Sequence, residues 1–187
     1  MDDVVTANLA LLLSYDGGPF QGWQIQPHSE TVQGVIERTL AIPLRRPVPI
    51  IGASRTDTGV HALGQVAHCQ VPKHCSLPAL WKSLNGLLPP AIRCRALAWV
   101  PSSFHSQLWA KGKLYVYRVQ KGAVRDPLRR CVTAHFPYAC DTDLLRQGAR
   151  LLLGTHDFAA FSNANTQGQA ARDSRRTLWR FDVAYIS

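Results

Sequence analysis

The chain has 187 residues, enough to bury a core as one domain or as two small ones. A formal net charge of +9 points to a polyanionic partner, nucleic acid first and an anionic membrane surface second; the Lys and Arg residues are dispersed, as on a folded surface. Five cysteines without a Cys-x-x-Cys pair fit a reducing cytosol, the acidic start Met1-Asp2-Asp3 is unlike a secretory signal, and the apolar run Leu9–Leu13 is too short to cross a bilayer.

In chain order, Leu9–Tyr15 reads as a buried strand ended by Asp16-Gly17-Gly18-Pro19. The loop after it carries Phe20, Gln21, Trp23, Gln24 and Gln26. Aromatics and amides in a Gly-rich loop suit stacking on bases and hydrogen bonding to their edges; the competing role is to pin the loop to the core, favoured for Trp23 and open for Phe20. Ser29–Ile42 predicts a helix with Ser29 as cap and Val32, Val35, Ile36, Thr39 and Leu40 on one face. A strand leads into Gly52, and another follows over Gly64–Val71. Ser76–Leu88 predicts a second helix, with Ser76 as cap, Pro78 in its first turn and Leu77, Leu80, Trp81 and Leu84 on one face. Ala91–Val100 reads as a strand. The order β-α-β-β-α-β describes a ferredoxin-like unit, two helices on one face of an antiparallel sheet.

A second unit starts after Pro101. Lys111–Gln120 reads as a strand that puts Lys111, Lys113, Tyr115, Tyr117 and Val119 on one face, a pattern suited to phosphate contact beside base stacking or to a half-buried strand with snorkelling lysines. Cys131–Phe136 is a predicted strand and Asp141–Leu153 a helix capped by Asp141 and stopped at Gly154. Ser162–Asp173 has no periodicity and reads as a mobile loop, closed by Arg172, Arg175 and Arg176. Thr177–Ile186 alternates and predicts a strand. This second unit lacks a closing helix-strand pair and is incomplete by its own logic. The fold expected is therefore α+β: two ferredoxin-like units with antiparallel sheets forming a basic cleft, over residues 1–103 and 104–187, with the second unit incomplete.

The most informative stretch is Gly52–His68, within which the loop Gly52–His61 carries Ser54-Arg55-Thr56-Asp57-Thr58-Gly59 between apolar flanks. Asp57 is the only acidic residue between Arg38 and Arg125, and Arg55 stands two residues away. A polar loop held between buried strands is where chemistry is commonly displayed, although Thr and Asp in a hairpin loop also serve simply to satisfy turn amides. His68-Cys69 and His74-Cys75 match no common zinc spacing.

The wording S-R-T-D-T-G-V-H-A-L-G-Q-V resembles the signature G-R-T-D-A-G-V-H-A-x-G-Q-V of the tRNA pseudouridine synthase A family. Further phrases similar to the family's follow its order along nearly the whole chain: Tyr15–Gln24, Thr31–Gln33, Asn85–Pro89, Phe104–Ser106, Lys113–Tyr117, Leu152–Phe158 and Arg175–Leu178. The resemblance implies a cytoplasmic homodimer that isomerises uridine to pseudouridine at positions thirty-eight to forty in the anticodon arm of tRNA, without metal or cofactor and away from membranes. It implies Asp57 as the catalytic carboxylate, acting on the base, the ribose or a sugar proton. Arg55 would fill the gap left by the flipped base and Tyr115 would stack on the uracil. Lys111, Lys113, Arg172, Arg175, Arg176, Gln21 and Gln24 are the expected RNA contacts. Thr58 stands where the family usually has Ala, Ser54 where it often has Gly, and Gln107 where it usually has Arg. The family's later segment F-x-x-x-M-V-R-x-x-x-G, whose Arg pairs with the catalytic Asp, is absent from these residues, so the chain is expected to be a fragment or a short form. The competing reading is an RNA-binding module that holds tRNA without performing the chemistry. A metal-binding or small-molecule domain has only the scattered His and Cys residues behind it.

Overall fold

The computed structural model describes residues 5–161 and 174–185, and the chain divides into two compact units, Met1–Tyr115 and Val116–Ser187. In the first unit the order is β1 (Thr6–Tyr15), α1 (Val32–Leu44), β2 (Ile51–Gly52), β3 (Ala62–Pro72), α2 (Leu77–Leu87) and β4 (Ile92–Val100). The strands form one sheet in the order β2-β3-β1-β4, with each neighbouring pair antiparallel.

Strand alternation explains the core. Leu9, Leu11, Leu13 and Tyr15 of β1 are all buried, and Leu9, Leu11 and Leu13 lie opposite Cys69, Ala67 and Gln65 of β3. On its other side β1 sets Leu13 opposite Cys94 and Tyr15 opposite Ile92 of β4. This face shares a single apolar cluster with Val32, Val35, Ile36 and Leu40 of α1 and with Leu80 and Leu84 of α2. Each such leucine or isoleucine contributes roughly 1.5–3 kcal/mol by leaving water. Burial pushes the thiols of Cys69 and Cys94 up to about 12 and about 11, so both behave as small apolar groups at neutral pH.

The opposite face of the sheet receives the segment that follows β4. Asn8 Nδ2 donates to the Phe104 carbonyl at 2.9 Å, and Ser106 Oγ donates to the Ile51 carbonyl at 2.8 Å. His68 Nδ1 meets Ser106 Oγ at 2.9 Å, and its ring lies 5.9 Å from Phe104 and 4.8 Å from His105. Burial first, and then the neighbouring His105, hold the His68 imidazole below its ordinary value of 6.5.

The second unit contains β5 (Val119–Lys121), β6 (Ala134–Phe136), α3 (Thr142–Leu151), β7 (Gly154–Asp157), a 3-10 turn at Ala159–Phe161, and β8 (Arg175–Leu178). Asp141 caps α3 as expected, accepting from the amides of Asp143 and Leu144 at 2.8 and 3.2 Å. Among the described residues of this unit only Ala149 is buried. The whole arrangement is α+β. Among the described residues no helix is long and apolar enough to cross a membrane, and no group of three or more His, Cys, Asp or Glu residues is placed to hold a metal ion.

Several expectations are corrected. The cap of α1 is Thr31, not Ser29: its side chain accepts from the Gly34 amide at 3.3 Å. The preceding chain is held by the neighbouring loop instead, where the Gln21 amide donates to the Glu30 carbonyl. The strand expected over Lys111–Gln120 pairs only over Val119–Lys121, the one over Cys131–Phe136 only over Ala134–Phe136, and the one over Thr177–Ile186 only over Arg175–Leu178. Alternation fixes which side chains would share a face, but a ladder also needs a partner of matching length; β7 offers β8 only four residues. The pairing of β5 with β6 is parallel, against the expectation of antiparallel sheets throughout. The connection between them spans residues 122–133, long enough to carry the chain back to the same end.

Candidate active site

The loop between β2 and β3 is held from beneath at alternate residues. The Ser54 carbonyl accepts from Gln65 Nε2 at 2.5 Å. Two residues on, the Thr56 carbonyl accepts from the Trp23 amide at 2.9 Å, and Thr56 Oγ1 shares a 2.9 Å hydrogen bond with the Tyr15 hydroxyl. Arg55 and Asp57, the residues between and after these tethers, are exposed. A turn then closes from the Val60 amide to the Asp57 carbonyl at 3.1 Å, with Gly59 at φ +78°. A Cβ on Gly59 would touch nothing within 4 Å, so it is the left-handed backbone, not crowding, that calls for glycine there.

The loop after β1 forms the facing wall. Phe20 and Trp23 are both buried, which settles the open choice for Phe20 in favour of anchoring. Gly22 sits at φ +83°, and a Cβ on it would stand 2.7 Å from the Thr56 carbonyl oxygen, so the two loops approach as closely as backbone permits. Thr58 Oγ1 donates to Gln21 Oε1 at 3.4 Å across the top.

Together the loops enclose an open cleft of about 330 Å³, lined by Gln21, Trp23, Gln24, Gln26, Arg55, Thr56, Asp57 and Thr58. That volume lies at the small end of ligand sites, roughly 300–1,000 Å³. Four of the residues singled out in the sequence, Asp57, Arg55, Gln21 and Gln24, therefore meet in one place. Among the described residues no cation lies within 4.0 Å of the Asp57 carboxylate. The carboxylate, the guanidinium and the amides of Gln21, Gln24 and Gln26 offer acceptors and donors to one cleft. Beneath them, burial raises the Tyr15 phenol above its ordinary value of 10.0, against the opposing effect of its hydrogen bonds to Thr56 and Gln65, so it stays neutral under the loop.

The sequence aligns with tRNA pseudouridine synthase A 1 of Protochlamydia amoebophila at 43% identity over 174 residues, covering 92% of this chain and 68% of that protein. This chain belongs to the tRNA pseudouridine synthase A family. The synthase of Syntrophotalea carbinolica is 40% identical over 173 residues, covering 92% of this chain and 68% of its own length. That of Latilactobacillus sakei is 34% identical over 182 residues, 97% of this chain and 72% of the relative. The chain thus spans about two thirds of the length of these relatives, all named as members of an isomerase family. No family model matches the chain.

The remaining expected site residues of this pseudouridine synthase relative lie elsewhere. Lys111, Lys113 and Tyr115 are exposed in a stretch without regular structure and do not line the cleft. Arg175 and Arg176 lie on β8 in the second unit. Arg172 falls outside the described residues, as does the expected loop Ser162–Asp173. Thr56 and Thr58 line the cleft without having been singled out as contacts, while Gln26, named among the loop's amides, lines it with Gln21 and Gln24. Tyr15 and Gln65, which tether the loop, were also missed. Gln65 had a legible signal, since by alternation it shares the core-facing side of β3 with Ala67, Cys69 and Val71, an unusual place for an amide without a task.

Proposed function

We propose that this chain acts on tRNA as a uridine-to-pseudouridine isomerase, at positions thirty-eight to forty of the anticodon stem-loop, with Asp57 as its catalytic carboxylate. The observation that carries this reading is the exposed Asp57 in an open cleft beside Arg55, in a chain 43% identical to a protein named tRNA pseudouridine synthase A 1. The isomerisation is balanced in atoms and redox neutral. The bond from N1 of uracil to C1′ of ribose breaks, the ring turns, C5 bonds to C1′, and the C5 proton leaves while N1 gains one. A carboxylate suits both routes: it attacks the base or the ribose as nucleophile, or removes a sugar proton as base.

The uridine must leave its stack to be reached. Arg55 fills the vacated space with its planar guanidinium, and Tyr115 stacks on the uracil. Gln21 and Gln24 hydrogen-bond the nucleotide at the cleft, while Lys111, Lys113, Arg172, Arg175 and Arg176 contact phosphates. The first unit is read as a ferredoxin-like half and the second as an incomplete one. The sheet order β2-β3-β1-β4 supports this reading of the first unit. The working form is a cytoplasmic homodimer.

Release of tritium from tRNA carrying 5-tritiated uridine tests the reading. The wild-type chain releases it, and Asp57→Ala lowers the rate by more than about 100-fold. Because Asp57 is exposed, this substitution leaves the melting temperature near that of the wild type. Release undiminished in Asp57→Ala would remove the carboxylate from the chemistry.

A further inference from the structure

The exposed loop rests on two buried polar side chains, Tyr15 at 4% exposure and Gln65 at 6%. Buried polar groups cost free energy unless they are fully partnered, so a pair kept against the core is expected to have a purpose that an apolar pair would not serve. Here the partners are all in one segment. Gln65 Nε2 donates to the carbonyl of Ser54, and the Tyr15 hydroxyl bonds Thr56 Oγ1. Both residues are carried on paired strands: Tyr15 ends β1 and Gln65 lies on β3 opposite Leu13. The anchors are thus rigid, whereas the residues they hold flank Arg55 and precede Asp57. Strand-borne supports of this kind fix a reacting group to within a fraction of an ångström, and misplacement by about 1 Å is enough to cost about 100-fold in rate.

We infer that Tyr15 and Gln65 are positioning residues: through Ser54 and Thr56 they aim the Asp57 carboxylate at the nucleotide, without touching it. The inference rests on the reading of Asp57 given above. Tyr15→Phe deletes a single oxygen and leaves the buried ring in place, and Thr56→Val removes the other half of the same hydrogen bond from the loop side. If the pair acts by aiming, each lowers kcat for tritium release at least fivefold while KM for tRNA changes less than twofold. Thr56→Ser, which keeps a hydroxyl, restores the rate lost in Thr56→Val. The double variant Tyr15→Phe/Thr56→Val is no slower than the worse single variant, because both remove one interaction. Amide exchange reports on the loop independently of turnover. The Val60 amide, which donates to the Asp57 carbonyl, exchanges at least fivefold faster in both single variants, while amides of β1 and β3 are unchanged. A merely structural role would instead speed exchange throughout the sheet and lower the folded fraction without splitting kcat from KM. Any of three results overturns the inference: kcat within fivefold of wild type alongside an inactive Asp57→Ala, losses that multiply in the double variant, or unchanged Val60 exchange. Full turnover in Asp57→Ala is a separate outcome, and it overturns the reading of the loop together with this one.

Discussion

At the scale of single residues, Gly22 shows how the cleft constrains chemistry that lies outside it. Its φ of +83° is left-handed, and any β-carbon there would meet the Thr56 carbonyl at 2.7 Å, where only backbone can give way. Gly22→Ala is therefore expected to cost about 1–3 kcal/mol, read as a lower urea midpoint, because strain and collision both act on the folded state. His68 provides a different handle. Its imidazole is held below 6.5 when folded, chiefly by burial, and returns to about that value when the chain unfolds. The unfolded chain then binds more protons than the folded one between the two values, so stability rises with pH across that window. The contribution is complete above about 6.5 and is lost as pH falls towards the folded value. Melting temperatures measured from about pH 7.5 to about pH 5 should fall on acidification, and His68→Gln, which cannot titrate, should flatten that part of the curve.

At the scale of elements, what the sequence made legible was what alternation and punctuation control. Leu9, Leu11 and Leu13, Val35 and Ile36, and Leu80 and Leu84 face the core as their periods require, and the strands, helices and turns of the first unit follow with boundaries shifted by only a few residues. The cleft was legible in part: the loop that carries Asp57 stood out as a polar segment between apolar ones, and Gln21 and Gln24 stood in the loop that proved to face it. What was not legible depended on partners distant in sequence. The cap at Thr31 depends on a strand-like exchange of backbone hydrogen bonds between residues 21–23 and 30–33, in which the Val32 and Gln33 amides donate to the carbonyls of Gly22 and Trp23. Lys111–Tyr117 carries a strand pattern, yet no described segment pairs with it. Tyr15 looks like an ordinary strand residue until Thr56 is seen above it.

For the whole molecule, the charge of +9 makes a quantitative statement about binding. If contacts to phosphates carry the affinity for tRNA, counterion release dominates, and the Kd measured at about 200 mM salt should exceed that at about 50 mM by at least about tenfold. A Kd that hardly moves with salt would mean that the dispersed Lys and Arg residues serve solubility and not the substrate.

Within the first unit, β1 is hydrogen-bonded along most of its length to β3 on one side and to β4 on the other, and its final residue is the one that reaches up to Thr56. The strand that organises the hydrophobic interior is thus also the pedestal of the loop that carries Asp57. Loosening the strand itself would mean undoing two ladders at once, so the pairings that hold the core also hold the ground on which that loop stands.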